Sequence, residues 1–213
     1  MRILDPMGNP SSSDWILIQP VDDHDQGMLP REMEQIRASV PDGSFCMIPV
    51  RVDWFSDLPP WPAPAAFRGQ PDFGDGALLT LHRILDDIVS GYHGKRVALG
   101  GYSLAGFFAL WAGYQTDQLD GIVAASPSVW YPGWDAYLRT HQMKCRNVYL
   151  SLGDREERTR NPVMRTVGDR IREQYRVLDT KGIRCTLNWN EGDHFRDPEI
   201  RTAAGFVWIM KGD

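Results

Sequence analysis

Seven residues, Gly100-Gly101-Tyr102-Ser103-Leu104-Ala105-Gly106, stand between an apolar strand-like run at 95–99 and an apolar helix-like run at 107–114. A strand that turns directly into a helix at a serine forces that serine into a strained backbone conformation and lifts its hydroxyl clear of the sheet. The residues two before and two after then approach each other closely and have to be small. Here they are Gly101 and Ala105. Such a turn needs a strand, a helix and a flanking sheet, so it constrains the rest of the chain.

The periodicities meet that demand. Residues 15–19 (WILIQ) form a continuous apolar run, as expected of a strand buried on both faces. A short helix is expected over 30–38, with Pro30 or Arg31 in its first turn, then a strand over 45–50. Residues 51–74 are irregular and rich in proline and aromatic side chains, and long unstructured loops of this kind are commonly functional. An amphipathic helix follows over 75–93, with Leu78, Leu81, Ile84, Leu85 and Ile88 at helical spacing. Further strands are expected over 121–125, 147–152 and 183–189. Helices are expected from the Asn161-Pro162 cap to about 180 and from the Asp197-Pro198 cap to 210. Alternating strand and helix indicates an α/β chain with a mostly parallel, doubly wound sheet of about six strands covered by helices on both faces. Residues 1–213 read as a single domain in which 1–13 are an N-terminal extension.

Composition narrows the function classes. Lys and Arg number 23 against 28 Asp and Glu, a net charge of −5, and there is no basic stripe, so nucleic acid is a poor partner. No apolar run approaches membrane-spanning length, and the N-terminal residues lack the apolar core of a signal peptide, so a cytoplasmic protein with no membrane partner is expected. Cys46, Cys145 and Cys185 lie in or beside strands without metal-ligand spacing and read as reduced, buried thiols. Asp22, Asp23, His24 and Asp25 crowd carboxylates and an imidazole together. Adjacent residues rarely converge on one ion, so no metal and no cofactor is expected and 20–25 reads as an oxyanion loop with a polar rim.

A serine hydroxyl needs a base, usually a neutral histidine oriented by a carboxylate. In doubly wound sheets such groups collect beyond the carboxyl ends of the strands. Of five histidines, His82 and His93 fall on a surface helix, His141 lies in a polar connection, and His24 belongs to the 20–25 loop. His194 alone follows the last strand and a glycine and precedes the terminal helix, which makes it the base candidate. Asp154, Glu156 and Glu157 follow the 147–152 strand and are the candidate acids; a Ser-His pair with no acid is the further alternative. The N–H of Leu104, at the start of its helix, is a natural donor to an oxyanion. A second donor is expected after strand 15–19, where Pro20 has no N–H and Val21 or Asp22 must serve. Trp54, Phe55 and Trp61, with Trp130, Tyr131 and Trp134, fall on loops at the same sheet edge. Of these, Trp54, Trp130 and Tyr131 are taken as substrate-binding. Arg51 is expected to pair with Asp53.

Gly100 to Gly106, Ser126-Pro127-Ser128-Val129-Trp130, Leu150 to Glu157 and Glu191 to Phe195 together resemble the α/β-hydrolase superfamily, in the esterase branch that holds S-formylglutathione hydrolase, siderophore-ester hydrolases and feruloyl esterases. The likeness covers about residues 14–211. It implies a compact α/β-hydrolase with no lid domain, Ser103 as nucleophile and His194 as base. In the common arrangement of that family the acid lies about three residues past the glycine that ends its strand, which selects Glu156. The implied reaction is hydrolysis of a small-molecule carboxylic ester by a monomer or homodimer. Thioesterase, peptidase, acyltransferase and catalytically silent binding protein are the alternatives on the same fold.

Overall fold

The computed structural model describes residues 1–41 and 43–212 of the 213-residue chain. Among the described residues, seven strands form one sheet: β1 (Arg2–Ile3), β2 (Trp15–Val21), β3 (Phe45–Arg51), β4 (Arg96–Tyr102), β5 (Gly121–Ala125), β6 (Asn147–Gly153) and β7 (Arg184–Asn190), in the order β1-β3-β2-β4-β5-β6-β7. Every pairing is parallel except β1 with β3. Arg2–Ile3, within the stretch read as an extension, supplies that antiparallel edge.

Six α-helices among the described residues cover the sheet: α1 (Asp23–Arg37), α2 (Ala77–Asp87), α3 (Ser103–Gln115), α4 (Trp134–Thr140), α5 (Val167–Thr180) and α6 (Pro198–Lys211). The strand residues divide between two apolar layers in the alternation a pleat imposes. Ile16 and Ile18 join the larger layer, with α2, α3 and α5; Trp15, Leu17 and Val21 join a smaller one, with α1 and α6. Burial on both faces explains the unbroken apolar runs of β2 and β5. Helix α3 is buried from Leu104 to Tyr114, because β4, β5 and the aromatic segment around Tyr131 and Trp134 enclose it.

The chain runs from β2 outward to β3, then returns to lay β4 on the other side of β2. The β2–β4 register ends at Ile18↔Leu99, whereas β2 stays paired to β3 as far as Val21↔Arg51. This reversal opens a crevice past the strands' carboxyl ends, the usual ligand position in such sheets. Pro20 is tolerated in β2 because it lies beyond the last pairing with β4.

Several expectations change, among them the helix read from the Asn161-Pro162 cap, which begins only at Val167. Helix α1 begins at Asp23, seven residues before Pro30, which lies inside it. The Asp22 side chain caps it by accepting the Asp25 N–H at 2.8 Å. The 20–25 segment is therefore the end of β2 and the first turn of α1, not a polar loop. Leu78 is half exposed, and the inward face of α2 is Ala77, Thr80, Leu81 and Ile84. Arg51 pairs with Asp23 at 2.7 Å; the Asp53 carboxylate instead accepts the N–H groups of Phe55 and Ser56.

Between β5 and β6 lies only the short α4, and no helix is long and apolar enough to cross a membrane among the described residues. The cysteines are free, with Cys46 and Cys145 buried and Cys185 half-buried.

Candidate active site

Ser103 sits where β4 becomes α3, with φ at +55°. A side chain in this left-handed region is strained, so the surrounding structure must hold it there. Close packing of the turn does so. A Cβ at Gly101 would lie 2.7 Å from the Ala105 Cβ, too near to coexist with it. Two small residues are what lets the strand and helix meet at this angle.

Ser103 Oγ lies 3.0 Å from His194 Nε2, and His194 Nδ1 lies 2.7 Å from Glu156 Oε2. With Nδ1–H donating to the carboxylate, Nε2 is left as an acceptor for the serine hydroxyl. A hydroxyl, an imidazole and a carboxylate joined in this order can move a proton from the serine to the histidine while the carboxylate stabilises the resulting charge.

Glu156 is buried and begins a 3₁₀ turn, Glu156–Arg158, three residues past the end of β6. Its Oε1 accepts from the Gly153 N–H at 2.7 Å, the Ser126 hydroxyl at 2.7 Å and Arg201 Nη1 at 2.9 Å. Burial alone raises this carboxyl, but the hydrogen bond and charge of His194, with the Ser126 and Gly153 donors, outweigh burial and hold it below the ordinary glutamate range.

The other two acid candidates have different partners. Asp154 accepts the Gly192 N–H at 2.8 Å, and Glu157 pairs with Arg172 of α5 at 3.1 Å. Asp154 thereby joins the β6 loop to the histidine loop, reinforced by the Arg155 N–H to Gly192 carbonyl bond at 3.0 Å. A Cβ at Gly153 would stand 2.4 Å from the Gly192 oxygen, so the two loops meet backbone to backbone only because that residue is glycine.

Arg201, Ser126, Tyr102 and Ser128 also belong to the site, although no local pattern in the sequence assigns them a role there. Buried Arg201 donates through Nη2 to the Glu191 and Asp193 carbonyls and through Nη1 to Glu156, Tyr102 and Ser126. The Tyr102 hydroxyl donates to the His194 carbonyl at 2.8 Å. Burial and the nearby Glu156 charge push this phenol up, which keeps it a neutral donor. Ser126, like Ser103, has positive φ, at +43°. Ser128 Oγ stands 3.4 Å from Ser103 Oγ. For Arg201, the readable signal is an arginine amid the small and apolar residues of the last helix.

A cavity of about 880 Å³ opens over Ser103. Leu104, Trp54 and Trp130 line it, as do Phe55, Phe67 and Phe73. The Leu104 N–H is among the first of α3, which have no partner inside the helix and so remain available to an anion. Val21, by contrast, is fully buried at the end of β2, with its carbonyl accepting the Val52 N–H, and is not among the lining residues. Tyr131 is not among them either. Its ring is buried against Phe107, and its hydroxyl donates to the Trp61 carbonyl at 2.7 Å. Trp61 and Trp134 likewise serve packing, through bonds to the Pro132 carbonyl and the Gln174 side chain. No cluster of three metal-ligating side chains occurs among the described residues. Asp22 caps α1 and Asp23 pairs with Arg51.

No protein-family model and no curated protein matches the sequence. Solved structures do. An IroE-like serine hydrolase from Shewanella oneidensis is similar with a TM-score of 0.73 at 17% identity, over 96% of this chain and 73% of that one. The enterobactin esterase of Shigella flexneri reaches a TM-score of 0.62 at 16% identity, over 98% of this chain and 54% of its own. A Bacillus cereus carboxylesterase reaches 0.62 at 16%, over 98% of this chain and 93% of that one. This chain thus spans about half the length of the enterobactin esterase. The fold is the α/β-hydrolase fold.

Proposed function

We propose that the protein is a serine hydrolase that cleaves carboxylic esters through an acyl-enzyme intermediate. The observation that carries this reading is the connected path from Ser103 Oγ through His194 to the buried Glu156, at 3.0 and 2.7 Å, opening onto an apolar cavity. The resemblance to solved serine hydrolases and esterases supports it at the level of fold.

Ser103 Oγ attacks the ester carbonyl as His194 Nε2 takes its proton. The Leu104 N–H stabilises the oxyanion at the positive end of α3. Collapse of the tetrahedral species breaks the carbon–oxygen bond, and His194 passes its proton to the departing alcohol. A water, deprotonated by the same imidazole, attacks the acyl-serine and releases the acid. Glu156 remains ionised and stabilises the imidazolium in both halves. Asp193 and Phe195, beside His194, and Trp130, beyond β5, form the walls against which the ester lies.

A panel of short-acyl aryl esters, matched thioesters and peptide amides tests the assignment. Esters should be turned over with the highest kcat/KM, and Ser103→Ala should abolish turnover of every class. Ester hydrolysis that survives Ser103→Ala contradicts it.

A further inference from the structure

The charge of the cavity is opposite to that of the chain. The protein carries −5 overall, yet Arg68, Arg155 and Arg158 all line the cavity. The carboxylates that reach it are Glu156 and Asp193. Glu156 is already answered by Arg201 at 2.9 Å, and Asp193 accepts the Phe195 N–H at 3.0 Å. Arg68 and Arg158 make no ion pair among the described residues, and Arg155 approaches only Asp154, at 4.0 Å.

These arginines are placed by structure rather than scattered. Arg155 and Arg158 flank Glu156 and are linked by the Arg158 N–H to Arg155 carbonyl bond at 3.0 Å, which fixes their backbones relative to the catalytic carboxylate. The loop bearing Arg68 meets the loop bearing Arg158 through Asn161 Nδ2, which donates to the Ala66 carbonyl at 3.2 Å. Two separate segments therefore bring the unpaired Arg68 and Arg158 guanidinium groups, with Arg155, to the lining of a largely apolar cavity. A guanidinium presents a planar fork of donors that matches a carboxylate.

Resting on the ester-hydrolase reading above, we propose that the substrate is an ester with an apolar body and a carboxylate remote from the scissile bond. The aromatic walls take the body, and Arg158, Arg155 and Arg68 take the carboxylate. A cationic edge in a net-negative protein also draws anionic esters to the serine ahead of neutral ones.

Two matched pairs test this. On the acyl side, mono-4-nitrophenyl adipate is compared with 4-nitrophenyl hexanoate. On the alcohol side, the hexanoate ester of 4-hydroxyphenylacetate is compared with that of its methyl ester. In at least one pair the anionic member should have the higher kcat/KM by roughly tenfold at low salt, as expected for a few exposed charge contacts, and the pair that shows it locates the carboxylate. The preference should shrink at high salt and fall toward one in Arg155→Gln/Arg158→Gln and in Arg68→Gln. Neutral members preferred in both pairs, or a preference untouched by the three substitutions, overturns the proposal. Calorimetry on Ser103→Ala provides a readout free of turnover. 4-Phenylbutyrate should bind more tightly than its amide, and equal binding contradicts the anion site. Wild-type protein that hydrolyses none of the esters while Ser103→Ala still prefers the anion would sink the hydrolase reading alone.

Discussion

Arg201 Nη1 stands 2.9 Å from Glu156 Oε1, while His194 Nδ1 stands 2.7 Å from the other oxygen of the same carboxylate. One buried carboxylate thus joins a helix of the scaffold to the imidazole beside Ser103. The second arm of the guanidinium holds the Glu191 and Asp193 carbonyls, at 3.3 and 2.9 Å, so Arg201 fixes both the acid and the loop that carries the histidine.

Removing Arg201 therefore acts twice. Arg201→Met should cost about 3–5 kcal/mol in urea unfolding, the usual penalty for leaving a buried charge without its partner. It should also reduce kcat more than it changes KM. Arg201→Lys should restore part of the stability, since one ammonium reaches only some of the five acceptors. Loss of stability with kcat unchanged would reduce Arg201 to a packing role.

Gly101→Ala tests the turn. The added Cβ would fall 2.7 Å from Ala105 Cβ in a region with no slack. The expected cost is roughly 1–3 kcal/mol, with loss of ester turnover as Ser103 shifts. Ala105→Gly, which removes the opposing methyl, should recover activity in the double variant. Independent, additive losses would show that the two residues do not oppose each other.

Two buried glutamates give the stability profile opposite slopes. Burial pushes the Glu32 carboxyl up to about 8, so the folded state keeps its proton where the unfolded chain has released it. Its contribution is complete below the ordinary value of 4.5 and is lost as pH rises toward about 8. Glu156 is held below its ordinary value, so its contribution is present above 4.5 and lost as pH falls through its lower folded value. Urea unfolding should show Glu32→Gln gaining on the wild type between pH 5 and pH 8, by on the order of a few kcal/mol. Glu156→Gln should flatten the loss of stability at acid pH. Parallel wild-type and Glu32→Gln curves would contradict the neutral Glu32.

The sequence made strand ends legible, and with them much of the candidate site. Ser103, Glu156 and His194 each follow a predicted strand closely, so reading those strands as parallel places all three on one edge, where they meet. Arg201 is separated from Glu156 by 45 residues and reaches it from a helix, a contact no local pattern reveals. In sequence, Pro30 reads as a first-turn residue, yet helix α1 begins seven residues earlier. Capping by Asp22 and burial of Leu29, Met33 and Ile36 outweigh the backbone bond that Pro30 forfeits. Tyr131 reads as a pocket wall because loop aromatics at a sheet edge look alike in sequence; the stack on Phe107 and the hydroxyl bond to Trp61 distinguish it from Trp130. Leu78 carried helical spacing yet faces outward, since the α2 stripe is centred on Leu81 and Ile84.

Stoichiometric labelling by a fluorophosphonate, followed by peptide mapping, tests the central claim most directly. The phosphorus should bond to Ser103 Oγ with loss of fluoride, at one label per chain, and His194→Ala should slow labelling by several orders of magnitude while leaving the fold intact. Labelling at another residue, or none at Ser103 in the folded protein, would contradict the account.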